Sequence, residues 1–346
     1  MVVDLDTFLV IVYSTIDDLY KEFRGERKSK EVGRKPSMSD SEVLTLAILC
    51  QWEARRSERE FLRWAEKNLR AYFPFILSQA EYNRRLRDLV DAISILGGRI
   101  AWLLCEELGL KADYEIVDGT GVPLMSRKRG ERRKLFGDEV DFGKGGSDWD
   151  WFYGVRVLVV VDDLGLITGF VVGSARTEER WLAESLLRWR QDRGACEPKA
   201  EELAECLGPF YKGRGPRKGP SGPISSPWTS GVAQGEYYLA DRGFSGKAWA
   251  KHWCEDLGAR VMTEADYKGL PDEEKDRQVR KHRRKRQTVE TVIGVLGDIF
   301  GLKFPRARTY LGLICRLAAK VAAFNIGVGI NYLFGRPTFA ILNPIH

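Results

Sequence analysis

The segment YYLADRGFSG, Tyr237–Gly246, passes from aromatic and apolar residues straight into an aspartate, with arginine, glycine and phenylalanine next. A strand entering a core gains nothing from an unpaired carboxylate at its end. Asp241 therefore either closes a turn or holds a cation at the carboxyl end of a sheet strand. The flanking segments bear on the choice. Upstream, ADYEIVDGTGVPL (Ala112–Leu124) reads as a short apolar strand that ends on Asp118 and runs into Gly-Thr-Gly. WFYGVRVLVVVDDLGLITGFVVG (Trp151–Gly173) reads as a β-hairpin turning at Asp162 and Asp163. A helix follows with Thr177 as its N-cap. After Asp241, GKAWAKHWCEDLG reads as a helix and ARVMTEA as a short strand, with Gly243 allowing a sharp turn between strand and helix. A basic run then leads into the helix TVETVIGVLGDIF (Thr288–Phe300), which carries Glu290. Strands and helices in this order predict an α/β fold with a mixed sheet flanked by helices.

The first hundred or so residues carry a different pattern. SDSE (Ser39–Glu42), SERE (Ser57–Glu60) and SQAE (Ser78–Glu81) each have the capping-box spacing, and each precedes an apolar or amphipathic run. They predict an N-terminal helical domain over residues 1–110, ahead of an α/β domain over 111–332 and a tail over 333–346. Residues 207–235, rich in Gly, Pro and Ser, predict an inserted loop over about 195–235. Two readings of the N-terminal helices stand side by side. One is a helix-turn-helix DNA reader using Arg84 and Arg85; the other is a plain helical domain with arginines on its wet face.

Net charge is +6, but its distribution says more. RQVRKHRRKR (Arg277–Arg286), SRKRGERRK (Ser126–Lys134) and KGRGPRK (Lys212–Lys218) are separate basic segments. One such run is ordinarily a solvated face; three together, beside the carboxylates below, favour nucleic acid. Arg127, Lys128, Arg129, Arg280, Lys281, Arg283 and Arg284 are the candidate phosphate contacts. The six cysteines form no C-x-x-C pair and read as reduced thiols of a cytoplasmic protein. The N-terminus carries acids where a secretory signal needs bases. The apolar segment near the C-terminus is interrupted by Arg316 and Lys320, which predicts a core helix and not a membrane span.

With only three histidines, acid, base or metal chemistry must fall to carboxylates. If the strands bearing Asp118 and Asp241 are neighbours, their carboxylates converge at one sheet edge, where ligands collect in open α/β sheets. A helix across that edge supplies Glu290. Such an oxygen-only donor set suits Mg²⁺ or Mn²⁺, and two ions ~3.5–4 Å apart serve in-line phosphoryl transfer. Arg286, one turn before Glu290, can hold it or grip a phosphate.

These segments resemble the DDE transposases of bacterial insertion sequences, which have a ribonuclease-H-like catalytic core. VDGTGVPL is similar to the strand of the first aspartate and the Trp151–Ile167 segment to the hairpin after it. LADRGFSG is similar to the second aspartate's motif, and RQTVETVIGVL (Arg286–Leu296) to the glutamate helix. MSDSEVLTLAIL and YNRRL (Tyr82–Leu86) are similar to the helical domain, so the likeness runs from about residue 36 to residue 332. It implies Asp118, Asp241 and Glu290 as the metal-binding catalytic triad, with Arg286 as helper. It implies hydrolysis at element ends and attack of the freed 3′-hydroxyl on target DNA, carried out by a homodimer. The helix departs from the family at Arg283 and Gly297, where tyrosine and lysine are usual.

Overall fold

The computed structural model describes residues 4–26, 36–52, 57–132, 136–145, 150–192, 228–229 and 237–341. The chain divides into two compact units, one of residues 1–100 with 296–346, the other of residues 101–295.

The first unit is helical. It contains α1 (Leu5–Glu26), α2 (Asp40–Trp52), α3 (Glu58–Asn68), α4 (Gln79–Asp88), the first part of α5 (Val90–Glu107) and α10 (Tyr310–Leu333). The capping residues act as their spacing predicts. Ser39 and Glu42 exchange reciprocal bonds at the start of α2, and Ser57 and Ser78 accept from Glu60 and Glu81 at the starts of α3 and α4. From Leu313 to Asn331 every residue of α10 except Arg316 is buried. A helix apolar on all sides needs partners on all sides, and α2 and α4 are among them. The segment from Leu296 onward belongs to the same compact unit as the N-terminal helices, which differs from a division at residues 110 and 332. By length and composition α10 could cross a membrane, but 94% of its apolar window is buried, as a core helix requires.

The second unit is built on a sheet of seven strands among the described residues. Its strands are β1 (Glu115–Met125), β2 (Asp141–Gly145), β3 (Asp150–Asp162), β4 (Ile167–Ser174), β5 (Trp228–Thr229), β6 (Tyr238–Leu239) and β7 (Val261–Met262). The order is β5-β4-β3-β1-β6-β7, with β2 paired to β3. β1, β3 and β4 form an antiparallel meander, and β6 and β7 add to β1 in parallel. This is the ribonuclease-H-like mixed sheet. Leu158, Val159, Val160 and Val161 of β3 are all buried, as a central strand covered on both faces must be. On one face, Val117, Leu158, Val160 and Val171 pack against Trp181, Leu182 and Leu186 of α7 (Glu179–Asp192) and Trp249 and Trp253 of α8 (Lys247–Glu255). Glu184, fully buried, accepts from Arg188, His252 and Trp253 and ties α7 to α8. Unpaired, that carboxylate would be costly; with three donors it fixes how the two helices lie together.

Several expectations change. β1 does not stop at Asp118; it continues through Gly119–Gly121 to Met125, because β3 is long enough to pair with it throughout. The basic stretch 126–148 contains a short helix α6 (Arg127–Arg132) and β2, whose Phe142 packs edge-on against Tyr153 of β3. Within the expected loop 195–235, Trp228 and Thr229 pair with β4; its other residues from 195 on, including Lys212–Lys218, lie outside the described residues. α7 begins at Glu179 and not after Thr177, whose hydroxyl bonds to Ser174. α9 runs from Asp272 to Asp298 and contains the basic run, since Lys, Arg and Gln are good helix formers and three acids fill its first turn.

The hairpin turn forms as expected. Asp162 Oδ1 accepts from the Leu164 and Leu166 amides, while its buried Oδ2 has no partner among the described residues. Burial, with Glu115 and Asp163 adding like charge, raises its carboxyl to about 7. The folded state thus holds a proton that the unfolded chain releases near pH 4, so stability falls as pH rises from about 4 to 7, by at most about 1.4 kcal/mol per pH unit. Asp162→Asn is expected to flatten this slope, read as the urea midpoint at pH 5, 6 and 7.

Candidate active site

β1 and β6 share only two parallel pairs, Glu115 with Tyr238 and Ile116 with Leu239. Asp118 and Asp241 each lie two residues beyond the last of these. Side chains alternate along a strand, so a two-residue step returns to the same face. Both carboxylates therefore come to one level just past the parallel pairing, Asp118 within β1 and Asp241 after the end of β6. Asp118 remains paired with Val159 on its other side, which fixes its height.

Beyond Asp241 the chain makes a 3₁₀ turn, Arg242–Phe244, and Asp241 caps it by accepting from the Gly243 amide at 2.7 Å. The left-handed residue is Gly246, at the start of α8, and not Gly243. Gly243 has a different use. A Cβ there would stand 2.9 Å from Asp241 Oδ1.

α9 lies across this edge. His282 Nε2 donates to the Ala240 carbonyl at 3.0 Å, and Lys285 Nζ donates to the Tyr237 hydroxyl at 2.9 Å. Lys285 also sits 3.7 Å over the Tyr114 ring, which stacks on Tyr237. These contacts grip the strand bearing Asp241 and set the rotation of α9. One turn after His282, Arg286 reaches Asp118, with Nη2 3.3 Å from Oδ2. Glu290, a further turn on, is exposed, while Val289 and Val292 on the neighbouring face are fully buried. Gly294 has open space where a side chain would be.

Glu179, the first residue of α7, completes the surroundings. It pairs with Arg156 of β3 at 2.9 Å, and Arg156 also donates to the Lys144 carbonyl. A Cβ on Gly119 would lie 2.6 Å from the Glu179 carboxyl carbon. Burial raises the Asp118 carboxyl to about 6; Arg286 opposes this, and Asp241 and Glu179 add to it. The Glu179 carboxyl is also raised, by burial first and by Asp241, with Arg156 opposing. Sequence reasoning missed Glu179 and Arg156. The available signal was the lone arginine inside the apolar strand GVRVLVVV, which demands a buried acid.

The structure thus brings Asp118, Asp241 and Arg286 together and leaves Glu290 on an exposed part of the same helix. Among the described residues, no three acidic, imidazole or thiol side chains stand close enough to hold a metal as they are. The donor chemistry nevertheless fits a hard divalent cation. Three carboxylates, Asp118, Asp241 and Glu179, are partnered by two guanidinium groups, leaving one negative charge uncompensated.

The candidate phosphate contacts fall into distinct settings. Arg127, Lys128 and Arg129 are exposed on α6, with Arg127 paired to Glu131. Arg280, Lys281 and Arg284 are exposed on α9. Arg283 makes a two-point contact with Glu264 at 2.7 and 3.0 Å. Arg84 is exposed, 4.0 Å from Glu81. Arg85 turns inward to Asp40 and the Met38 carbonyl, so its charge is spent on joining α4 to α2.

Residues 226–326 match the family model described as the transposase DDE domain. This part of the chain is thus similar to a transposase DDE domain. The match takes in Asp241, Arg286 and Glu290 and begins after β1, so the strand with Asp118 joins the site through the sheet. No curated protein matches the chain. The DDE domain supports a transposase-type function and action on DNA.

Proposed function

We propose that this protein is a DNA transposase that hydrolyses phosphodiester bonds at element ends and joins the freed 3′-hydroxyls to target DNA. The observation that carries the reading is the equal position of Asp118 and Asp241, each two residues past the last parallel pair of β1 and β6. Asp118 and Asp241 would hold the cation, with Glu290, on the exposed face of α9, as the third carboxylate of the set. When bound, Mg²⁺ or Mn²⁺, as one ion or two, supplies charge stabilisation to the attacking and leaving oxygens. Arg286 opposes the protonation of Asp118 that burial favours, and would meet a phosphate oxygen of bound DNA. The exposed cations of α6 and α9 hold the backbone of double-stranded DNA, and a homodimer pairs the two ends.

The test uses DNA carrying the gene's own flanks, a supercoiled target plasmid and Mg²⁺ or Mn²⁺. Wild-type protein is expected to give joined products and Asp241→Asn none, as read by sequencing. Nicks without joining would make the protein a metal-dependent nuclease. Binding to the ends without cutting by wild type would make it a transposase-derived DNA-binding protein.

A further inference from the structure

Glu179 has a position that an ordinary ion pair does not explain. Its carboxylate is wedged between the residues that flank the two aspartates. The carboxyl carbon and Oε1 lie 2.6 Å from where a Gly119 Cβ would be, and Oε2 lies 3.5 Å from where a Gly243 Cβ would be. Gly119 follows Asp118 directly, and Gly243 is the residue whose amide Asp241 caps. Glycine at both places leaves the room that the carboxylate occupies. Its partner is not fully used either, since Arg156 Nε is buried without a hydrogen bond among the described residues. Arg156 is also held by the Lys144 carbonyl at 3.0 Å, so it keeps an anchor if Glu179 turns away.

We propose that Glu179 is a fourth carboxylate of the site, a ligand that exchanges Arg156 for the divalent cation held by Asp118 and Asp241. This rests on the proposed function, because it takes the aspartate pair as the cation site. Glu179 opens α7, whose other residues pack into the core through Leu182 and Leu186, so the carboxylate is delivered from a rigid element. The exchange moves no covalent bond. Glu179 gives up one guanidinium contact and gains the cation, and Arg156 keeps its carbonyl contact.

The test measures Mn²⁺ binding to the full chain without DNA, by calorimetry and by the electron paramagnetic resonance of free Mn²⁺. Glu179→Gln is expected to weaken Mn²⁺ at least about tenfold or to remove one ion from the stoichiometry. Arg156→Gln, which frees the carboxylate, is expected to bind Mn²⁺ at least as tightly as wild type. Should Glu179→Gln alone fail to fold, the double variant with Arg156→Gln removes both buried charges together and is expected to fold, still with weakened Mn²⁺. Wild-type Mn²⁺ affinity in Glu179→Gln, with loss only in melting temperature, would reduce Glu179 to a structural partner of Arg156 and overturn the proposal. Asp118→Asn serves as the control. If it too binds Mn²⁺ like wild type, the aspartate site itself is refuted; if it alone loses binding, only the role of Glu179 is.

Discussion

Arg190→Ala is expected to destabilise the catalytic unit by about 3–5 kcal/mol, the cost of leaving a buried charge without its partner. Arg190 is on α7 and only 7% exposed. It donates to both oxygens of Glu115 at 2.5 and 3.1 Å, to the Tyr238 hydroxyl at 2.9 Å and to Thr168 Oγ1 at 3.1 Å. One side chain thus ties α7 to β1, β4 and β6, and Glu115 and Tyr238 are the first parallel pair. That pair sets the register that brings Asp118 level with Asp241. Glu115→Ala is expected to cost about as much, while Glu115→Gln, which keeps most of the hydrogen bonds, costs less. Chemical denaturation of the single and double variants checks this: the double variant should recover part of the loss, as a coupled pair requires.

Asp118→Asn is expected to lower DNA cleavage by at least about a thousandfold, roughly 4 kcal/mol of barrier, and to leave DNA binding within a fewfold of wild type. It is also expected to raise stability at pH 8. The native carboxyl is raised to about 6, mainly by burial. An acid whose pKa rises on folding favours the native state while it is protonated, so its contribution is lost as pH climbs from about 4 to 6. Above that window the fold carries a buried negative charge that an amide does not have. A residue whose removal stabilises the protein and abolishes cleavage is held for chemistry. Equal stability of wild type and variant at pH 8, together with full cleavage, would contradict both halves of this account.

Much of the fold was legible because local rules decide it. The hairpin of β3 and β4 is marked by an apolar run and an Asp-rich turn, and the serine caps of α2, α3 and α4 by their spacing. What sequence could not show depends on distant pairing. β1 looked short because its residues past Asp118 are glycine and threonine, yet β3 holds it extended to Met125. α10 packs with the N-terminal helices because its whole circumference is apolar, and periodicity does not name partners. In the candidate site, Asp118 and Asp241 were readable as carboxylates ending apolar runs. Glu179 was not, because an acid in the first turn of a helix is common and only the fold puts it beside Gly119 and Gly243. Arg85 illustrates the converse: a basic helix suggested phosphate, and the structure spends that arginine on Asp40.

The most direct test is to soak crystals of the full chain with Mn²⁺ and collect data for its anomalous signal. The account predicts a peak just past the parallel pairs of β1 and β6, with oxygens of Asp118 and Asp241 about 2.0–2.3 Å from it and Arg286 displaced from Asp118. Protein that cleaves its own element ends with Mn²⁺ yet binds the ion elsewhere, with the contact between Asp118 and Arg286 intact, would contradict it.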